Sequence, residues 1–111
     1  ADEFVLVPGG CFEMGCAPSE AGDCGADEVP RHRVCLADFL LARTEVTVAS
    51  FRAFVEGSGY RTDAERLGGC YLWTGLRWEK RVALSWRDPG FAQTPEDPVV
   101  CVSARDAAAY I

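Results

Sequence analysis

The stretch Asp27–Phe39, DEVPRHRVCLADF, decides the fold of this chain, and it continues into Thr44–Thr47, TEVT. Its residues from His32 to Leu36 alternate between apolar and polar, which is typical of a half-buried β-strand. The apolar run Phe39–Ala42 predicts a buried extension of that strand. The stretch therefore predicts a strand that leads directly to the start of a helix.

The predicted helix begins after Thr47, whose hydroxyl suits an N-cap position. Apolar residues then recur with helical spacing, namely Val48, Phe51, Phe54 and Val55. Arg52 and Glu56 lie four residues apart and fall on the solvent side. Gly57 and Gly59 predict the end of the helix, because glycine favours the C-terminal cap.

The residues before this stretch predict a hairpin and a loop. Phe4–Val7 is a β-prone run that the turn-forming Pro8-Gly9-Gly10 closes. Cys11–Gly15 then predicts a second strand that pairs back on the first. Residues 16–28 are rich in small and acidic side chains, so we expect a loop there.

A loop, a hairpin, a strand and a second helix are predicted after the first helix. The polar segment Tyr60–Gly69 is expected to be a loop, and Cys70–Glu79 is expected to form a β-hairpin. Val99–Val102 predicts a short apolar strand. Ser103 followed by Asp106 is a capping box, which predicts the start of a second helix.

Length, composition and charge limit the possible functions. The chain has 111 residues, enough for about one domain, with 49% hydrophobic and 25% charged residues, as in ordinary globular proteins. The formal net charge of −6 argues against nucleic-acid binding, which depends on Lys and Arg neutralising phosphates. No apolar run approaches the roughly 18 residues of a transmembrane span. We therefore expect a soluble domain that binds no nucleic acid.

Six cysteines in so short a chain favour disulfides and an oxidising compartment. No two of them have the C-x2-C spacing typical of a zinc site. The favoured pairs are Cys16 with Cys24 and Cys11 with Cys35, among fifteen possible pairings. A Cys16–Cys24 bond would close a small loop and stabilise the fold by about 2–3 kcal/mol on the chain-entropy model.

Six segments, in this order, resemble one known family. They are Phe4–Gly15, Asp27–Phe39, Glu45–Phe54, Gly59–Glu65, Ser85–Phe91 and Pro98–Tyr110. Together they cover nearly the whole chain and resemble the formylglycine-generating enzymes, also called sulfatase-modifying factors. Each segment alone is a weak match, but their common order makes the resemblance specific.

The resemblance implies an α+β, variant C-type-lectin-like fold with short antiparallel strands, two helices and irregular loops. It also implies that residues 1–111 are the N-terminal part of one domain that continues beyond them. In the oxidases of this family, the copper-binding catalytic cysteine pair and most calcium ligands lie in that later part. Calcium and copper are thus expected only in the full domain, and no catalytic, cofactor-binding or metal-binding residue is expected here.

Several polar residues are candidates for a functional site. His32 is the only histidine, and a hydrogen-bonded structural role is favoured over a metal or acid–base role. Calcium would need six to eight oxygen ligands, and the acidic residues around it would be Glu20, Asp23, Asp27 and Glu28. Their spacing matches no calcium loop, so a solvated acidic loop is favoured. Glu65 is expected to bond backbone amides or an arginine.

A groove for a peptide or sugar is the main binding hypothesis. It would be lined by Tyr71, Trp73, Trp78, Trp86 and Phe91, with Arg87 as a polar residue beside them. Aromatic side chains often form such surfaces, but they also pack in cores and hairpins.

The favoured function is that of a binding or scaffold module, in a periplasmic or extracellular protein or assembly. Its expected partners are a protein or peptide and the remainder of its own domain. The first alternative is a share in a copper-dependent oxidase that converts a sulfatase cysteine to formylglycine, with the catalytic cysteines outside these residues. The second alternative is a lectin-type module that binds carbohydrate or protein.

Overall fold

An antiparallel ribbon makes up Glu3–Arg43, one of the two compact units of the chain. The computed structural model describes residues 3–17 and 24–111. In this unit the elements are β1 (Phe4–Val7), β2 (Gly10–Met14), a 3₁₀ turn (Ala26–Glu28), β3 (His32–Leu36) and β4 (Phe39–Ala42). β1 pairs with β4, and β2 pairs with β3. The expected pairing of the second strand with the first is therefore wrong.

β1 and β2 do not pair with each other because the chain does not reverse at Pro8–Gly9. These residues only interrupt the ribbon. The register is continuous across the break, since Val7 lies opposite Phe39 and Gly10 lies opposite Leu36. Proline has no N–H to donate to a ladder, and the Gly9 N–H donates instead to the Asp38 carboxylate. A Cβ on Gly9 would lie 2.6 Å from the Leu36 carbonyl oxygen, so the crossing strand leaves room only for glycine.

The expectation of a buried strand at Phe39–Ala42 is also wrong. Leu40 and Leu41 are 65% and 54% exposed, because each sheet of this unit has only two strands and covers little of either face. His32 is exposed, and its Nδ1 donates a 3.0 Å hydrogen bond to the Pro30 carbonyl oxygen. The peptide bond between Val29 and Pro30 is cis.

Disulfides join all six cysteines. Cys11 is bonded to Cys35, its neighbour across the β2–β3 pair, and Cys16 is bonded to Cys24. These are the two pairs favoured from the sequence. The third bond joins Cys70 to Cys101 and was not assigned in advance.

The second unit, Thr44–Ile111, contains the helices and a hairpin. Its elements are α1 (Val48–Ser58), α2 (Asp63–Leu67), β5 (Cys70–Trp73), β6 (Trp78–Arg81) and α3 (Ala104–Tyr110). The Thr47 hydroxyl accepts a hydrogen bond from the Ser50 N–H at the start of α1. Gly59 ends α1 with φ 73°, which is the left-handed cap that glycine adopts most readily. Both predicted helices and the hairpin are confirmed.

Two predictions for this unit are wrong. The expected loop Tyr60–Gly69 contains α2, which a capping box between Thr62 and Glu65 starts. The expected strand Val99–Val102 has only isolated ladder contacts, such as the bond from the Val99 N–H to the Val46 carbonyl oxygen. Cys101 has φ 61°, and this left-handed conformation ends the extended backbone.

The hydrophobic core of this unit lies between α1 and the Trp86 turn. Its buried members are Val48, Phe51, Val55 and Trp86. Phe51 and Trp86 meet edge to face with ring centroids 5.2 Å apart, and Tyr110 of α3 stacks on Phe51 at 6.1 Å. α1 and α3 are thus held to one aromatic cluster. The α+β fold class is confirmed, with three α-helices in residues 3–17 and 24–111 where two were expected.

The hairpin depends on one glycine. Gly69 has φ 89°, and a Cβ there would lie 1.8 Å from the Arg81 carbonyl oxygen. Only glycine allows β5 to start this close to the end of β6. In the described part of the chain, no helix is long and apolar enough to cross a membrane.

Candidate functional site

The hairpin exposes a pair of tryptophans on one surface. Trp73 and Trp78 lie opposite each other in the register, their ring centroids are 5.5 Å apart, and they are 52% and 65% exposed. They line a groove of about 580 Å³ together with Tyr71, Arg81 and Phe91. Four of the six residues predicted for a ligand groove therefore lie together.

Trp86 does not belong to this surface. It is 1% exposed and packs on Phe51, so the prediction that it lines a groove with the hairpin tryptophans is wrong. The physical reason is that its turn folds against α1, which buries the indole in the core. Arg87 is exposed and lies over the Trp86 ring, with its guanidinium carbon 4.5 Å from the ring centroid. Arg87 lines a different cavity.

Glu65 connects α2 to the Trp86 turn. Its carboxylate accepts hydrogen bonds from the Thr62 N–H at 3.2 Å, the Thr62 hydroxyl at 3.0 Å and the Trp86 Nε1–H at 3.0 Å. The Arg87 Nε lies 3.8 Å away. Burial by itself would raise the pKa of Glu65, but the bonds from Thr62 and Trp86 outweigh it, so its pKa is lowered.

The lowered pKa predicts that Glu65 stabilises the fold most at neutral pH. A carboxyl with a depressed folded-state pKa contributes stability above its unfolded pKa, about 4.3 for glutamate, and loses it as the pH falls through the folded value. Glu65→Gln should lower the free energy of unfolding by about 1–2 kcal/mol at pH 7. The difference between the two proteins should shrink at pH 3. Denaturant unfolding at both pH values tests this.

Glu56→Gln provides the matched control, because Glu56 is exposed on α1. Its free energy of unfolding should match that of the unchanged protein at both pH values. A Glu65→Gln deficit that is equally large at pH 3 would contradict the electrostatic explanation and indicate lost packing.

Asp106 is the centre of a second polar network, which the sequence did not reveal. It is 0% exposed and accepts bonds from the Tyr60 hydroxyl at 2.7 Å, the Asp63 N–H at 3.1 Å and the Ser103 N–H at 2.8 Å. The bond to Asp106 raises the pKa of Tyr60. The bonds from Ser103 and Arg66 lower the pKa of Asp63. These carboxylates are thus engaged in joining α2 to α3.

One group of possible metal ligands lies at the Cys16–Cys24 disulfide. Within residues 3–17 and 24–111, the one group with ligand-like spacing is Cys16, Cys24 and Glu28, and a disulfide joins its two sulfurs. A disulfide offers no thiolate to copper. Glu20 and Asp23 of the weighed calcium cluster lie outside the described residues.

The chain resembles known proteins over its whole length. The family model for the Sulfatase-modifying factor enzyme 1-like domain matches residues 1–111. A formylglycine-generating enzyme of Streptomyces coelicolor is 38% identical, over 96% of this chain and 40% of the relative. An inactive Cα-formylglycine-generating enzyme 2 of Bos taurus is 31% identical, over 96% of this chain and 42% of the relative.

A solved structure also matches nearly the whole of this chain. PvdO from Pseudomonas aeruginosa superposes with a TM-score of 0.70 at 30% identity, over 98% of this chain and 38% of that chain. This chain therefore spans about two fifths of the length of the proteins it matches. From the match over all 111 residues, we conclude that the chain belongs to the family of Sulfatase-modifying factor enzyme 1-like domains, which includes the formylglycine-generating enzymes.

Proposed function

We propose that these residues form a peptide-binding or scaffold module of an extracytoplasmic formylglycine-generating-enzyme-like protein, without a catalytic site of their own. The observation that carries the proposal is the exposed aromatic groove of Trp73, Trp78, Tyr71 and Phe91. Exposed apolar surface of this kind is typical of binding sites. Tryptophan and tyrosine are also the side chains most often found at the centres of protein interfaces.

The carboxylates and cysteines that could otherwise take part in catalysis have structural roles. Glu65 and Asp106 have their carboxylates occupied by several hydrogen bonds each. All six cysteines are bonded in pairs, which also favours an oxidising compartment outside the cytoplasm. The partners we propose are a peptide segment at the hairpin and the remainder of the same domain.

Peptide binding at the hairpin predicts a tryptophan fluorescence response. Titration with a panel of blocked peptides should quench the emission, and Trp73→Ala or Trp78→Ala should weaken binding by about tenfold or more, as for aromatic residues central to an interface. Leu76→Ala is the matched control, because Leu76 is 90% exposed but does not line the groove. Equal affinity in the two tryptophan variants and the unchanged protein would refute the proposal. Quenching by glycans alone would favour a lectin-type module.

The relatives favour a second candidate, in which the whole protein is a copper-dependent oxidase that forms formylglycine. The 38% identical relative carries that enzyme's name, whereas the 31% identical relative is named as inactive. Because the six cysteines here are bonded in pairs, a copper-binding thiolate pair would come from sequence beyond these residues. Aldehyde formation on a cysteine peptide by this chain with copper would overturn the non-catalytic proposal.

A further inference from the structure

A second cavity in the Thr44–Ile111 unit combines two arginines with a buried amide. Its volume is about 290 Å³, and its lining includes Arg52, Arg87, Gln93 and Phe91. Phe91 also lines the hairpin groove, so the two cavities share a wall. Neither the sequence patterns nor the named relatives assign a ligand to this cavity.

The two arginines provide positive charge that the protein compensates only in part. Their guanidinium carbons lie 5.3 Å and 4.5 Å from the centroid of the Trp86 ring, which positions both of them. Arg52 has no carboxylate within ion-pair distance among the described residues. Arg87 Nε lies 3.8 Å from Glu65 Oε2, which is beyond hydrogen-bond distance, whereas the three shorter bonds to Glu65 all go to Oε1. Asp88 also lines the cavity, and its Oδ1 accepts the Gly90 N–H at 3.1 Å.

Gln93 supplies an acceptor that has no donor. Its Oε1 is buried and unpaired within the described part of the chain, whereas its Nε2 donates a 2.9 Å bond to the Pro98 carbonyl oxygen. That bond sets the orientation of the amide, because a carbonyl can accept only from the nitrogen. A buried acceptor without a donor is costly, so a ligand N–H group that displaces the side chains covering this oxygen would gain a hydrogen bond there.

We propose that this cavity binds an aspartate or glutamate residue of a peptide, which deepens the peptide-binding function proposed above. The carboxylate lies between Arg52 and Arg87, and a backbone N–H of the same peptide donates to Gln93 Oε1. Arginine pairs bind carboxylates through charge-assisted hydrogen bonds. An inorganic anion satisfies the arginines alone, since it has no N–H group for Gln93. The adjoining hairpin groove receives an aromatic or apolar residue of the same peptide.

The test compares two blocked peptides that differ in one charge, Ac-Ala-Phe-Ala-Glu-Ala-NH₂ and its Gln counterpart. Calorimetry on the full chain should show the Glu peptide binding about tenfold to a hundredfold more tightly, the range expected for hydrogen bonds to a charged group. Arg52→Gln and Arg87→Gln should each reduce this preference to a few-fold or less. Sodium sulfate at matched ionic strength should compete weakly with the Glu peptide.

Arg105→Gln is the matched control, because Arg105 is exposed on α3 and does not line the cavity. It should keep the full preference for the Glu peptide. The native Arg87 side chain contacts Trp86 and Glu65. If the Arg87→Gln variant does not fold, the Arg52→Gln variant alone decides the test. Equal binding of the two peptides, or an unchanged preference in the Arg52→Gln variant, overturns the inference.

The same titrations separate this inference from the hairpin proposal. A Gln peptide that binds and depends on Trp73 supports the hairpin function even when the charge preference is absent. A preference that depends on Arg52 but is unchanged in Trp73→Ala supports the acidic-residue site and refutes the hairpin function. Competition by sulfate as strong as that by the Glu peptide overturns the peptide assignment and indicates a general anion site.

Discussion

Trp86→Ala is expected to lower the free energy of unfolding by about 3–5 kcal/mol, the usual cost of removing a buried aromatic ring. For a domain with about 5–15 kcal/mol of stability, this loss leaves much of the protein unfolded under mild denaturing conditions. Trp86 is 1% exposed and meets Phe51 edge to face. Its Nε1–H also donates to Glu65, so truncation removes packing and a hydrogen bond together.

Two comparison variants separate these contributions. Trp86→Phe keeps most of the ring but removes the N–H, so it should cost less than alanine while weakening the Glu65 network. Trp78→Ala removes a ring that is 65% exposed, and it should change the free energy of unfolding by less than about 1 kcal/mol, as surface changes usually do. Denaturant unfolding of the three variants measures the differences. Equal losses for Trp86→Ala and Trp78→Ala would show that Trp86 is not part of the core.

Elements with a strong local signal were predictable from the sequence. The Thr47 cap and the apolar spacing of Val48–Val55 specify α1 without help from distant residues, and the structure confirms the helix. The alternation from His32 to Leu36 likewise specifies β3. The partner of each strand was not predictable in the same way, because Pro8–Gly9 is typical of a turn in isolation. Only the crossing strand at Leu36 and Asp38 makes it an interruption of a continuous ribbon.

Short helices lack a periodic signal. α2 has five residues, too few for a repeating apolar pattern, so the composition around Asp63 is that of a polar loop. The capping box of Thr62 and Glu65 was the available signal. This signal alone is weak because no apolar run follows it.

The candidate groove was predictable only in part because exposure depends on tertiary packing. Trp73 and Trp78 are exposed on a hairpin that has no described layer packed over them, whereas Trp86 is covered by α1. All three are tryptophans, and each has at least one polar neighbour in the sequence. The cavity between Arg52 and Arg87 is a stronger example, since 34 intervening residues separate side chains that lie against one ring.

Asp106→Ala is expected to lower the free energy of unfolding by about 3–5 kcal/mol, as when one partner of a buried charged network is removed. The sequence identified Asp106 as part of a capping box, a local role whose loss costs about 1 kcal/mol. The structure adds bonds from the Tyr60 hydroxyl and the Asp63 N–H, 46 and 43 residues away. Truncation leaves these donors and the Ser103 N–H buried without an acceptor, which raises the expected cost.

Asp106→Asn tests whether the charge or the shape of this side chain matters. Its carbonyl oxygen can still accept from Tyr60 and Asp63, but its NH₂ group faces the Ser103 N–H, so two donors meet and a partial loss is expected. Glu96→Ala removes an exposed carboxylate of the same unit and should leave the stability unchanged. If Asp106→Ala costs only the 1 kcal/mol or so of a lost cap, the long-range bonds contribute little. A cost several times larger shows that Asp106 ties α2, and with it Glu65 beside Arg87, to α3.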